Sequence, residues 1–279
     1  MPEPTIRHIS DTARWSAVFR ARESERPNAL FRDPFARKLA GERGEVIAKS
    51  TPFHEKNEWS WITRTYLFDK IIKEQIAQGV DMVVNLAAGL DARPYRMELP
   101  ASLKWVEVDL PDILDYKEAV LKDEKPVCSL ERVRADLADS ATRRSVFARL
   151  NEEATRALVI CEGLLIYLPP DDVAKFAQEL RSFPVFQRWL FDIASPPLLK
   201  LLQKKTHQQF GSEVAPLQFA PEEGPAFFTH YGWKMLQIYS TLKTAAALKR
   251  TPFILSLFAL FPEKPAKQPW SGACLLGPQ

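Results

Sequence analysis

Met82-Val83-Val84-Asn85-Leu86-Ala87-Ala88-Gly89-Leu90-Asp91 is the stretch that decides the fold. Its first half is a short apolar run rich in β-branched residues, as a buried strand requires. Its second half is a turn of small residues ending in an acid. The pattern recurs downstream. Apolar runs at Trp105-Val106-Glu107-Val108, Val133-Arg134-Ala135, Ala157-Leu158-Val159-Ile160-Cys161 and Trp189-Leu190-Phe191 are each of strand length. Between them lie segments of helical spacing. Val173, Phe176, Ala177 and Leu180 repeat at i, i+3, i+4, i+7 after Pro170, with Asp171 placed to cap the helix, and Val146, Phe147 and Leu150 mark a shorter one. Strands and helices alternating at this pitch predict βαβ units on a parallel sheet. The fold class is therefore α/β, a doubly wound, mostly parallel Rossmann-like sheet.

Outward from this core the pattern changes. Trp59, Ile62, Thr63, Tyr66 and Lys70 form a helical stripe, and Pro27, Pro34 and Pro52 punctuate what precedes it. Residues 1–80 are expected to be a helical cap and 81–195 the core. Pro196-Pro197 opens an insertion after the fifth strand, over 196–230, with helical segments to about Phe219. Trp233 to Tyr239 and Ala273 to Leu276 are the expected final strands within 231–279. All of this fits a single domain.

Composition narrows the function. The 279 residues are 46 % apolar and 26 % charged, which suits a folded domain rather than a disordered chain. The net charge of +3 is too balanced to indicate a nucleic-acid partner or a membrane surface. Cys128, Cys161 and Cys274 stand far apart with no CxxC spacing, which argues against a zinc or dithiol site and suits a reducing cytoplasm. Phe253 to Phe261, the longest apolar stretch, is about half a membrane span.

An open parallel sheet binds ligands beyond the carboxyl ends of its strands. Acids gather there: Asp91 after the first run, Asp109 after the second, Asp136 after the third and Glu162 after the fourth. Asp109 and Asp136 could equally cap helices. Glu162 continues an apolar strand, where an unpaired charge is costly. A small-residue turn followed 20 positions later by an acid is the arrangement that binds a nucleoside, the acid accepting from ribose hydroxyls. A dinucleotide cradle needs three glycines. Only Gly89 is present, and Asp91 would repel phosphate. A phosphate-free nucleoside with a cationic centre, S-adenosylmethionine, fits better than NAD.

The segment from Asn85 to Arg96, together with Glu107-Val108-Asp109-Leu110-Pro111, Ala135-Asp136-Leu137 and Glu162-Gly163-Leu164-Leu165-Ile166-Tyr167-Leu168, resembles the ordered motifs of the leucine carboxyl methyltransferase family. Thr12-Ala13-Arg14-Trp15, Arg20-Ala21-Arg22-Glu23 and Asp33-Pro34-Phe35-Ala36 resemble its opening, so the likeness runs from about Thr12 to Leu168. It implies a class I S-adenosylmethionine-dependent methyltransferase. It also implies roles: Asp109 on the ribose, Asp136 on the adenine amino group, Leu137 with its backbone N–H on the ring, and Gly89 against the methionine part. Arg64 would pair with the methionine carboxylate, assisted by Arg22, and Glu162 would sit near the ammonium.

Ala87 stands where the family usually has Gly, and Ala92 where it has Thr. Alanine suits the first position only with a negative φ, and its methyl group would crowd a cofactor. The expected reaction is O-methylation, on a carboxylate or hydroxyl, of a small molecule. The alternatives are a protein C-terminal carboxylate as acceptor, or a cofactor-binding homologue without turnover. His8, His54, His207 and His230 offer no clear base, and no catalytic residue or metal site is assigned.

Overall fold

The computed structural model describes residues 10–50, 52–210 and 215–279. Its strands are β1 (Met82–Leu86), β2 (Lys104–Asp109), β3 (Ser129–Arg134), β4 (Ala157–Cys161), β5 (Phe186–Ala194), β6 (Trp233–Ser240) and β7 (Ser271–Pro278). Its helices are α1 (Ser10–Ser24), α2 (Ala36–Lys49), α3 (Pro52–Lys56), α4 (Glu58–Ala77), α5 (Arg93–Arg96), α6 (Pro111–Val120), α7 (Ser140–Asn151), α8 (Pro170–Arg181), α9 (Pro196–Phe210), α10 (Thr241–Ala247) and α11 (Phe253–Phe258).

One sheet holds all seven strands in the order β3-β2-β1-β4-β5-β7-β6. The first five run parallel; β7 is antiparallel to both β5 and β6. Strand order reverses between β1 and β4, so a crevice opens there at the carboxyl ends. β1 and β4 are buried along their whole length, as a central parallel strand covered on both faces must be. On one face Phe147, Phe176, Trp189, Phe228 and Trp233 belong to one apolar cluster with Val84 and Val159. On the other, Phe68, Ile71 and Ile72 of α4 pack with Val83, Leu158 and Leu190. A third cluster joins α1 and α2 through Trp15, Val18, Phe19, Leu39 and Ile47.

Several local expectations need correction. β3 begins at Ser129 and stops before Ala135; an edge strand with half-exposed faces admits Ser129, Glu131 and Arg134, which hides its start. β5 runs from Phe186 to Ala194, well past the Trp189–Phe191 run, because Gln187, Arg188 and Asp192 interrupt the apolar pattern. Asp171 lies inside the first turn of α8, behind the N-cap Pro169. Asp136 does not cap α7; Asp139 does, accepting from Ala141 N at 3.0 Å. Among its described residues the insertion contributes α9, an extended run in which Gln218 N and Phe219 N donate to Ile166 O, and a 3-10 helix over Gly224–Tyr231. Among the described residues no helix is long and apolar enough to cross a membrane.

Candidate functional site

A cavity of about 550 Å³ opens at the carboxyl ends of β1, β2, β4 and β5. Asn85, Ala87, Gly89, Asp91, Asp109, Glu162, Gly163 and Asp192 form its floor. α1 adds Thr12, Trp15 and Arg20, and α4 adds Trp61 and Arg64. Beyond them the wall becomes apolar, with Phe53, Ile166, Ile193, Leu198, Leu201, Leu202, Leu217 and Phe219.

The floor is built on backbone that few side chains tolerate. Gly89 has φ +48°, and a Cβ there would stand 3.2 Å from the Ala13 Cβ, so glycine is needed for both angle and space. Ala87 also takes a positive φ, +55°. The negative φ that would suit alanine is thus not met: the loop keeps its left-handed shape, at a strain of about 1–2 kcal/mol for alanine. Val108 O holds it by accepting from Ala87 N at 2.9 Å.

Asp109, the last residue of β2, accepts from Gly89 N through Oδ2 at 2.6 Å and from Leu110 N through Oδ1 at 2.8 Å. It therefore ties the turn to the second strand. The same residue lines the cavity.

Behind the floor runs a chain of ion pairs. Arg93 sits at its centre, with Nε on Asp69 at 2.7 Å, Nη1 on Asp91 at 2.7 Å and Nη2 on Glu162 at 2.8 Å. Arg96 grips both oxygens of Asp69 at 2.7 Å. Arg20 pairs with Asp33 at 2.9 Å and donates to Leu90 O at 2.6 Å. Burial alone would raise the carboxyl pKa values. For Asp69 the guanidiniums of Arg96 and Arg93 outweigh it, and the pKa falls below the ordinary carboxylate value. The same holds for Asp91 beside Arg93 and Lys117, and for Glu162 beside Arg93 and Arg64. Burial likewise opposes the charge on Arg64, but Asp192 and Glu162 hold its pKa above the usual guanidinium value.

Arg64 reaches the cavity from α4. Its Nε donates to Glu162 Oε1 and its Nη1 to Asp192 Oδ2, both at 3.1 Å, while its guanidinium carbon lies over the Trp61 ring, 4.8 Å from the ring centre. Gly163 (φ +70°) leaves room for it, since a Cβ there would stand 3.3 Å from Nη1. Asp192 Oδ1 accepts from Gly163 N at 2.6 Å, which locks the two strand ends together.

The structure thus brings Arg64, Gly89, Asp109 and Glu162 to one cavity. It places the other sequence candidates elsewhere. Asp136 is exposed and accepts from Ala138 N at 2.8 Å within its own turn. Leu137 packs against the core and accepts from Arg143 through its carbonyl. Neither lines the cavity. Arg22 points to a cluster of acids, at 3.1 Å from Glu55 and 3.6 Å from Glu45 and Glu58. The guanidinium that α1 sends to the cavity is that of Arg20, two residues earlier. His207 and His230 are exposed, His8 lies outside the described residues, and so does the side chain of His54.

Sequence reasoning missed Asp192, Arg93, Arg20 and Glu263. Asp192 was legible in the continued alternation Phe191-Asp192-Ile193. Arg93 and Arg20 carry no local signal, because their partners are distant in sequence. Glu263 lines the far end of the cavity, accepting from Ser240 Oγ at 2.5 Å and Trp270 Nε1 at 3.0 Å.

The donor set fits the expected cofactor. Among the described residues five carboxylates (Asp91, Asp109, Glu162, Asp192, Glu263) and three guanidiniums (Arg20, Arg64, Arg93) line the cavity. That excess of negative charge suits a cationic ligand. Gly89 also leaves backbone bare where a Cβ would intrude. Among the described residues no group of His, Cys, Asp and Glu has metal-binding geometry.

Comparison with known proteins agrees. The model of a family described as leucine carboxyl methyltransferase matches residues 13–180. A Streptomyces avermitilis protein named as an S-adenosyl-L-methionine-dependent methyltransferase is 31 % identical over 241 residues, covering 80 % of this chain and 82 % of that one. A Streptomyces coelicolor protein of the same description is 37 % identical over 172 residues, covering 58 % and 60 %. Among solved structures, a DUF574 family protein from Streptomyces avermitilis superposes with a TM-score of 0.60 at 12 % identity, over 96 % of this chain and 97 % of that one. A Thermobifida fusca structure described as a methyltransferase gives 0.56 at 18 % identity, over 92 % and 96 %. These likenesses are of fold. Family match, relative and cavity agree: the chain belongs to the leucine carboxyl methyltransferase family of S-adenosylmethionine-dependent methyltransferases.

Proposed function

We propose that this methyltransferase transfers the methyl group to an oxygen of a small, largely apolar acceptor. The observation that carries this reading is the two-part cavity: a charged floor at the strand ends, continued under α9 by Leu198, Leu201, Leu202, Leu217 and Phe219. S-adenosylmethionine, when bound, supplies a methyl group already activated by its sulfonium. Asp109 is then the acceptor for the ribose hydroxyls, and Gly89 the bare backbone against the methionine part. Arg64 keeps Nη2 free of hydrogen bonds among the described residues and is suited to the methionine carboxylate. Glu162, already ionised by its two arginine partners, faces the ammonium. Asp136, Leu137 and Arg22 have no part in this proposal, because none lines the cavity.

The protein's own task is alignment and exclusion of water. α1 and α4 cover the charged floor with Trp15 and Trp61, 5.7 Å apart, and α9 covers the apolar half. Holding donor and acceptor in line is where most of the rate enhancement arises in such a displacement. A carboxylate acceptor is ionised at neutral pH and needs no base; a hydroxyl would need one. A chain that binds the cofactor without turnover is the second reading, and it rests on the Ala87 methyl in the cavity wall.

The test has two stages. S-adenosylmethionine at about 100 times its Kd stabilises by about 2.7 kcal/mol, a rise of about 5–10 °C in Tm, whereas NAD gives none. Methyl-labelled cofactor is then offered with apolar carboxylic acids, phenols and peptides ending in a free carboxylate. Labelled ester or ether from the small molecules supports the proposal. Label on the peptides alone moves the acceptor class to protein. A Tm shift with no transfer to any acceptor favours the second reading.

A further inference from the structure

We propose that the segment from Phe253 to Phe261 docks this protein on an anionic lipid surface. A short helix in a folded domain ordinarily buries one face. α11 buries no residue. Phe253 is 78 % exposed and Leu260 79 %, and Ile254, Phe258 and Phe261 are each at least 60 % exposed. Six large apolar side chains, with Leu257, thus face solvent within nine residues. Solvent-facing clusters of this kind are uncommon on a monomer and mark a contact surface.

Charge selects the occupant. From Gly224 to Pro262 the sequence has no acidic residue and carries Lys234, Lys243, Lys249 and Arg250. Exposed Lys243 and Lys249 precede the apolar segment, and exposed Lys264 and Lys267 follow it. The acids close by are turned inward, Glu263 to Ser240 and Trp270 and Glu23 to Arg250, so the exposed charge is that of the lysines. A second copy docking here would bring lysines to lysines. Anionic headgroups would pair with those lysines while phenylalanine and leucine enter the acyl boundary. The whole-chain charge of +3 averages this local asymmetry away. Leu255 of α11 and Leu242 of α10 line the cavity, so a docked segment brings the cavity wall to the lipid. The inference stands apart from the identity of the acceptor.

The experiment is co-sedimentation of the full chain with vesicles of phosphatidylcholine containing about one-third phosphatidylglycerol, beside vesicles of phosphatidylcholine alone. The wild-type protein is expected to bind the first, weakly the second, and less as salt rises. Phe253→Ser/Phe258→Ser should lose at least about tenfold in binding, and Lys249→Glu/Lys264→Glu should lose the preference for the anionic vesicles. An unchanged thermal shift with S-adenosylhomocysteine shows that both variants remain folded. No wild-type binding, or equal binding by the serine variant, overturns the proposal. So does a wild-type dimer in light scattering that the serine variant dissociates while vesicles bind neither.

Discussion

Asp109 is the residue on which the proposed cofactor binding most directly depends. Replacing it by alanine removes the acceptor proposed for two hydroxyls and also frees Gly89 N from its 2.6 Å bond. Asp109→Ala should weaken S-adenosylmethionine binding by about 1–3 kcal/mol, read by calorimetry; equal affinity would remove the ribose role. Ala87 invites the opposite change. Glycine there relieves about 1–2 kcal/mol of left-handed strain, offset by about 0.4–1 kcal/mol of extra freedom in the unfolded chain. Ala87→Gly should therefore leave stability unchanged or raise it by up to about 1.6 kcal/mol, measured by urea unfolding. If cofactor affinity also stays the same, the methyl group crowds nothing and the second reading loses its support. At this scale the sequence was legible where chemistry is local. The acid after a strand and the lone glycine of the turn declared themselves. Arg93 did not, since its role comes from Asp69 and Glu162, which only the fold brings together.

The elements divide the cavity between them. α4 does two jobs from one helix: Phe68 and Ile72 face the sheet, and Trp61 and Arg64 face the cavity. α9 belongs to the apolar half, with Leu198, Leu201 and Leu202 spaced at i, i+3, i+4 on one face. Leu201→Ser should leave cofactor affinity within about twofold and raise the acceptor KM about tenfold, the loss expected for a leucine contact. A parallel loss of cofactor affinity would show that α9 holds the charged floor instead. β4, wholly apolar, and β1, whose one polar residue Asn85 donates to Asp91 at 2.8 Å, were read to the residue, because a strand covered on both faces cannot carry unpartnered polar side chains cheaply. The ends of β3 and β5 were not. The polar residues of β3 sit at a sheet edge, Asp192 of β5 sits at the cavity and Arg188 of β5 donates to Gln75, so a pattern of burial fails where solvent, the site or a polar partner takes over.

The whole molecule should be sensitive to acid. Asp69, Asp91 and Glu162 have pKa values depressed below those of the unfolded chain. Above the unfolded value, about 4, both states are ionised and the stabilising contribution is complete. As pH falls below it the unfolded chain binds protons first, and stability is lost until the depressed folded values are passed. Glu107 works against this. Burial raises its pKa despite Lys117 at 2.6 Å, so protonation favours its folded form. Three groups outweigh one, so Tm should hold steady from pH 8 to about 5 and then drop steeply below about 4. A Tm that rises on acidification would show that the buried ion pairs are a net burden at neutral pH.

The strand order carries a consequence for how the chain assembles. β7 comes last in sequence yet lies inside the sheet, between β5 and β6. β6 therefore has no sheet to join until β7 has been made. On a ribosome the β5 margin stays unpaired through the synthesis of some eighty residues, and contacts this distant in sequence are slow to form. Arg250 meets Glu23 of α1 at 2.8 Å, a second clasp between early and late chain. Nascent chains stalled before Ser271 should expose a sticky strand margin and depend on chaperones for protection, whereas chains extended past β7 should not.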